Sequence, residues 1–184
     1  MNATSIQLPS ELFAPAESSH FEGTYAAGIM KAGPDLYDFL VPLVWQVDVT
    51  NTGDALLVTG TVEGEAKTSC ARCVDDFTFA VTGEIEGYYV FDAEDAVSED
   101  REGDEFEVLP ENKTIDLEPL ITAALLMEFP LVPLCDDECR GLCPVCGSNL
   151  NDGDCGCAPA KEGEEDVSLN PFAALKEFPF EQNE

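Results

Sequence analysis

The sequence predicts an α+β fold, in which a curved, barrel-like antiparallel β-sheet carries one packed helix and is followed by a small cysteine-rich appendage. Three observations lead there: a two-residue apolar period between residues 44 and 91, a helical period between 117 and 128, and five cysteines crowded into residues 139–157. A chain of 184 residues that is 45% hydrophobic is long enough for one ordinary core plus an appendage, and too short for two full-sized domains. The expected division is a β-rich domain over 1–134, a cysteine-rich segment over 135–158, and an acidic linker with a short amphipathic tail over 159–184.

The strands come first. In ALLVTGTVEGEAKTSC, Val58, Gly60, Val62, Gly64 and Ala66 fall on one face, and Thr59, Thr61, Glu63, Glu65 and Lys67 on the other. FTFAVTGEIEGYYVF repeats the pattern with Phe77, Phe79, Val81, Ile85, Tyr89 and Phe91 inward. Residues 44–50 are β-rich and run into the turn composition NTGD, which predicts a hairpin with the strand from Leu56. The three strands make an antiparallel meander, and residues 20–31 are a candidate edge strand. Glycines recurring at 60, 64, 83 and 87 favour a strongly bent sheet. Nine of the sixteen residues from Asp92 to Glu107 are acidic, a solvated excursion. In DLEPLITAALLMEFP, Leu117, Leu120, Ile121, Ala124 and Leu125 share a helical stripe, Asp116 can cap the start, and Pro130 stops the helix. In the tail, Phe172, Leu175 and Phe178 form an apolar edge stable only when packed.

Composition excludes several functions. The first residues lack a basic start followed by an apolar run, and no stretch is long and apolar enough to span a bilayer, so a cytoplasmic protein with no membrane partner is expected. With 8 Lys and Arg against 38 Asp and Glu, the formal charge of -30 opposes a phosphate backbone unless a basic patch gathers the few cations. The same charge can arise from an acid-rich proteome, with no message beyond solubility. The single histidine, His20, sits in a polar stretch and reads as a surface residue. Carboxylate pairs are inevitable at this acid density, and none earns a catalytic assignment. Phe77, Phe79, Tyr88, Tyr89 and Phe91 could stack bases, but their alternation with polar residues is better explained by core packing.

The eight cysteines carry the chemistry. They form four short-spaced pairs: Cys70 and Cys73, Cys135 and Cys139, Cys143 and Cys146, Cys155 and Cys157. A reducing cytosol makes clustered thiols metal ligands rather than disulfides. A two-residue gap lets a tight turn aim both sulfurs at one zinc ion, and CPVCG has the proline and glycine of such a knuckle. The most compact four-thiolate site joins Cys143 and Cys146 to Cys155 and Cys157, leaving Cys70, Cys73, Cys135 and Cys139 for a second, with Cys139 near enough to Cys143 to substitute in the first. One or two zinc ions are therefore expected. A four-thiolate zinc is anionic, and Arg72 and Arg140, two of three arginines, lie inside cysteine motifs where they can offset that charge. Thiol redox chemistry competes, but CARC sits at a strand end rather than at a helix start. Four protein ligands leave no open position for catalysis, so no enzyme and no small-molecule substrate are expected.

CARCVDDFTFAVTGEI, an apolar helix ending in FPLVPLC, CRGLCPVCGSNLNDGDCGC and NPFAALK follow one another in an order that resembles the bacterial YceD family, the large-ribosomal-RNA-subunit accumulation proteins. The resemblance covers residues 40–178 and implies a cytoplasmic, non-catalytic, metal-binding factor supporting accumulation or processing of the 23S ribosomal RNA. The residues themselves modify that expectation. Between Cys135 and Cys157 one cation, Arg140, faces Asp136, Asp137, Glu138, Asp152 and Asp154, a poor phosphate clamp. A zinc-stabilised acidic scaffold for a basic ribosomal protein or assembly factor is thus favoured over a direct RNA-binding module that contacts rRNA.

Overall fold

The computed structural model describes residues 4–91 and 107–157. The acidic run over 92–106 and the linker and tail over 159–184 lie outside the described residues. The chain divides into two compact units, Met1–Cys139 and Arg140–Glu184. The cysteine-rich segment is therefore split, with Cys135 and Cys139 in the first unit.

The first unit is built on strand pairing. Strands β1 (Ser5–Gln7), β2 (Ser18–Tyr25), β3 (Gly28–Ala32), β4 (Asp35–Phe39) and β5 (Leu43–Asn51) precede two long strands, β6 (Ala55–Ser69) and β7 (Asp76–Val90). Short strands β8 (Glu107–Val108) and β9 (Thr114–Asp116) then lead into helix α1 (Glu118–Glu128). β6 and β7 form a hairpin paired without interruption from Ala55↔Val90 to Ser69↔Asp76. β5 pairs with β6 from Val44↔Glu63 to Asn51↔Leu56, completing the expected meander. The turn between β5 and β6 is held by Asn51, a buried side chain whose Oδ1 accepts from the Gly53 N–H at 2.7 Å and whose Nδ2 donates to the Leu12 carbonyl at 2.9 Å.

The expected edge strand is two strands with different neighbours. β2 runs antiparallel along β5, whereas β3 turns back through Gly33 onto β4, which touches β6 only at Asp38↔Lys67. Barrel-like closure does not occur. The seven-stranded sheet follows the path β2-β5-β6-β4-β3, with β7 branching from β6 and β8 pairing with β7, and its outer strands do not meet. The apolar face is covered instead by α1 and by the two-stranded β1–β9 sheet, which bring Ile6, Leu8, Ile115, Leu117, Ile121 and Leu125 onto Trp45, Val47, Val58, Val62 and Ile85 in one core. An open sheet covered on one face needs no closing strand.

The sheet glycines act less as bends than as points of close approach. A Cβ on Gly83 would lie 2.9 Å from the backbone of Ala124, and one on Gly87 would lie 2.7 Å from Leu120 Cδ1, so both positions let α1 press onto β7. The helix begins as the sequence suggests: Asp116 Oδ1 accepts from the Glu118 N–H at 3.1 Å and from Thr4 Oγ1 at 2.9 Å. At its far end Phe129 stacks on Tyr37, with ring centroids 3.9 Å apart and planes 7° from parallel, and Pro130 accepts from the Tyr37 hydroxyl at 3.3 Å. No helix among the described residues is long and apolar enough to cross a membrane.

Candidate metal centres

The β6–β7 hairpin ends in a loop, residues 70–75, that carries Cys70 and Cys73. Its path is set by three contacts: the Val74 N–H donates to the Cys70 carbonyl at 2.9 Å, the Cys70 N–H to the Asp75 carbonyl at 2.9 Å, and the Arg72 N–H to Cys70 Sγ at 3.4 Å. The chain after α1 meets this loop. The Ala71 N–H donates to the Pro133 carbonyl at 2.8 Å, which delivers Cys135 and Cys139 to the first pair. Asp136 shapes the intervening turn by accepting from the Glu138 N–H at 2.8 Å, while the Cys139 N–H donates to the Asp136 carbonyl at 3.0 Å.

The four sulfurs converge. Cys70 Sγ lies 3.8 Å from Cys139 Sγ, and Cys73 Sγ lies 3.7 Å from Cys135 Sγ. A regular tetrahedron with zinc–sulfur bonds of about 2.3 Å has edges of about 3.8 Å, whereas a covalent sulfur–sulfur bond is about 2.05 Å. The spacing therefore fits four separate thiolates around one ion. Cys70, Cys73 and Cys139 are buried with Phe77 and Leu134 packed beside them, so this cluster has its own small apolar surround.

The second unit repeats the loop. The Gly147 N–H donates to the Cys143 carbonyl at 2.9 Å, the Cys143 N–H to the Ser148 carbonyl at 2.8 Å, and the Val145 N–H to Cys143 Sγ at 3.4 Å. Each of these contacts has its counterpart, position for position, in the loop at Cys70. The hairpin is closed by a bridge between Leu142 and Asn149 and by the Leu150 N–H donating to the Gly141 carbonyl at 2.9 Å. Cys155 and Cys157 return to it through a turn in which Asp154 Oδ1 accepts from the Gly156 N–H at 2.9 Å. Their sulfurs and those of Cys143 and Cys146 all lie within 4.8 Å of one another, as do the four of the first cluster. Each tetrad can hold a metal ion, and Cys139 stays with the first.

The thiols of each cluster sit at uneven potentials. Burial acts to raise the Cys70 thiol, but the N–H groups of Cys73, Cys135 and Arg72 outweigh it and bring it down to about 6. The Ser148 hydroxyl and N–H bring Cys146 down to about 6 as well. Desolvation and its three sulfur neighbours push Cys135 up to about 12, and the sulfurs of Cys146 and Cys155 do the same to Cys157. The N–H and hydroxyl dipoles of the clusters thus favour the thiolates of Cys70 and Cys146, and a cation among the sulfurs would favour those of Cys135 and Cys157.

The two arginines differ. Arg72 Nη1 donates to the carbonyls of Asp137 at 3.0 Å and Cys139 at 3.1 Å, so its side chain ties one half of the first cluster to the other. Arg140 is exposed, and its backbone N–H donates to Asn151 Oδ1 at 2.8 Å. Sequence reasoning missed the acceptors Asp136, Asp154 and Asn151, each placed to satisfy a backbone N–H beside a ligand pair. The signal for Asp136 and Asp154 was present in the Asx turns that CDDEC and GDCGC permit, whereas Asn151 accepts from Arg140, 11 residues away in sequence, a pairing no local pattern encodes. Four of the five aromatic residues pack inward: Tyr89 is buried, Phe79 packs against the core, Phe91 lies against Phe13, and Phe77 lies by the cysteines, whereas Tyr88 is half-buried on the opposite face beside Leu57 and Glu86.

A family model described as "Large ribosomal RNA subunit accumulation protein YceD" matches residues 58–179, spanning both cysteine clusters. The chain belongs to the YceD family. Uncharacterized proteins of Mycobacterium tuberculosis and Mycobacterium leprae are 35% identical over 102 residues and 31% identical over 121 residues, covering 55% and 59% of the chain. The chain spans about half the length of these relatives, 48% and 49%. A chloroplastic protein of Arabidopsis thaliana, named as a large ribosomal RNA subunit accumulation protein YCED homolog, is 35% identical over 68 residues, or 37% of this chain and 20% of that one. No solved structure matches the chain.

Proposed function

We propose that this YceD-family chain is a non-catalytic, zinc-binding factor of ribosome biogenesis that supports accumulation of the large-subunit RNA by holding a basic ribosomal protein or assembly factor. The observation that carries the metal reading is the pair of four-sulfur clusters, with Sγ separations of 3.7 and 3.8 Å in the first matching the edges of a tetrahedral thiolate site. Zinc suits four thiolates, has no redox chemistry of its own, and with four protein ligands keeps no position for substrate. Cys70, Cys73, Cys135 and Cys139 hold one ion; Cys143, Cys146, Cys155 and Cys157 hold the other. Arg72 and Arg140 offset the anionic charge of these sites, Arg72 from within the first cluster. A reducing cytoplasm is where such thiols persist unpaired.

The scaffold reading rests on charge. On the outer face of β2, β5, β6 and β7 stand Glu22, Asp48, Glu63, Glu65, Asp76, Glu84 and Glu86. His20 Nδ1 lies 2.8 Å from Asp48 Oδ1, and the cation Lys67 has its Nζ 2.8 Å from Asp76. A surface of this kind steers basic partners and repels phosphates. Elemental analysis of the reduced protein is expected to find two zinc ions per chain; metal-free protein that melts identically with and without chelator overturns the metal reading. Co-purification with and without nuclease tests the partner: basic proteins retained after nuclease support the scaffold, and loss of all partners with nuclease supports RNA contact instead.

A further inference from the structure

The outer face of the first unit contains a groove of about 430 Å³, lined by Val41, Pro42, Val44, Glu63, Glu65 and Thr82. Its position follows from strand register. Val44, Glu63 and Thr82 form one cross-strand row, and Glu65 and Ala80 stand opposed two residues further on. β5 pairs with β6 only as far as Glu63, and β4 joins β6 only at Lys67, so no strand is registered against Gly64–Ala66 on that side. The sheet parts there, and the turn before β5 forms one wall. That wall is apolar and accessible, with Val41 62% and Val44 59% exposed.

We infer that this groove binds an arginine- or lysine-bearing apolar segment of a partner protein. The lining contains two carboxylates and no cation. Among the described residues neither the Glu63 nor the Glu65 carboxylate accepts a hydrogen bond or forms an ion pair, and the neighbouring cation on the same face, Lys67, is held by Asp76 at 2.8 Å. A long basic side chain has an aliphatic stem and a charged end, and so satisfies both halves of the lining: the stem lies on Val41, Pro42 and Val44, and the charge meets Glu63 and Glu65. A phosphate would face two like charges, and a bare metal ion would leave the apolar wall unused. The volume is that of a small-ligand cleft, enough for one or two side chains and not for a folded domain. The inference rests on the proposal that the partner is a basic protein, and it names the surface that protein engages.

The test is an amide-shift titration of the full, zinc-loaded chain with the capped peptide Leu-Arg-Leu-Arg-Leu, and with versions carrying Glu for Arg or Ser for Leu. Expected are shift changes centred on residues 41–44, 63–65 and 80–82. The double variant Glu63→Gln, Glu65→Gln should weaken binding at least about tenfold, and Glu84→Gln, Glu86→Gln on the same face by less than about twofold. Equal losses from the two pairs, shifts spread over the whole face, or equal affinity of the Ser-substituted peptide overturn the inference. So does an oligouridine that shifts the groove residues. Where a basic partner captured from cells still binds the Glu63→Gln, Glu65→Gln chain, the groove is refuted and the scaffold reading stands. Where no basic protein is captured yet the peptide behaves as expected, the scaffold reading fails and the groove stands.

Discussion

Val74 and Gly147 occupy the same place in two copies of one turn, four residues after the leading cysteine, and both have a left-handed backbone, with φ of 66° and 75°. The turn needs that conformation because the N–H at this position must reach back to the carbonyl of the leading cysteine, at 2.9 Å in both copies. Gly147 adopts it freely. Val74 is β-branched, and its side chain and backbone crowd in this region.

Val74→Gly is therefore expected to stabilise the zinc-loaded protein by about 1 kcal/mol, the relief of strain exceeding the extra freedom glycine gains in the unfolded chain. The valine side chain is 64% exposed, so its removal sacrifices little burial. Chemical denaturation of the two proteins measures the difference, and destabilisation by the glycine variant rules the strain out. Gly147→Val should act in the opposite direction, lowering metal retention by the second cluster.

How α1 seats on the sheet gives a second expectation. At Gly83 an added methyl group would meet the backbone carbon and oxygen of Ala124, both at 2.9 Å, and these atoms cannot rotate away. Gly83→Ala should cost about 1–3 kcal/mol through displacement of the helix, read as a lower denaturation midpoint at unchanged slope. Gly87→Ala should cost less, because its obstacle is the flexible end of Leu120 at 2.7 Å. A larger loss at Gly87 than at Gly83 contradicts this account.

These contacts also mark what could be read from the sequence. Alternation along β6 and β7 placed the core face correctly, because the two-residue period holds whatever the partner strand; it gives way only at the end where Ala55 pairs with Val90 and both faces are buried. The grouping of the eight cysteines was legible for a similar reason: short spacing limits each pair to one turn. Closure of the sheet was not legible, since it depends on whether β2 and β8 meet, a long-range matter that no local pattern encodes. The glycines misled in the same way. Gly83 and Gly87 read as bends, yet their purpose lies in a distant helix, at Ala124 and Leu120. Strand β4 hides in DLYDF, where Tyr37 and Phe39 are inward, and the Gly33–Pro34 turn before it was its available signal.

Alkaline pH should weaken the fold through Tyr89. Burial pushes its hydroxyl up to about 12, and the Glu107 and Asp116 carboxylates add to the shift; Tyr25 and Tyr37 are raised in the same direction, each chiefly by burial. The folded state thus holds the tyrosine proton more tightly than the unfolded state, whose value is near 10. The associated stability is complete below pH about 10 and is lost as pH rises towards about 12. Denaturation midpoints measured across that window should fall, and Tyr89→Phe should flatten the fall. An equal slope in the variant removes Tyr89 as a cause.

The two clusters should differ most sharply in what their loss does to the first unit. Cys73 belongs to a site that closes a long loop, joining the β6–β7 turn at residue 70 to residue 139 beyond the helix. By the loop-closure reasoning used for covalent cross-links, opening such a constraint costs about 4 kcal/mol, and metal binding itself adds to the loss. Cys146 belongs to a site confined to residues 143–157. Cys73→Ser is thus expected to release one zinc and lower the melting of the β-rich unit by many degrees, whereas Cys146→Ser releases one zinc and leaves that melting transition within about 0.5 kcal/mol of the parent. Zinc content by elemental analysis, paired with calorimetry of each variant, reads both quantities. Equal destabilisation of the β-rich unit by the two variants would show that the first cluster is not the clamp its position makes it.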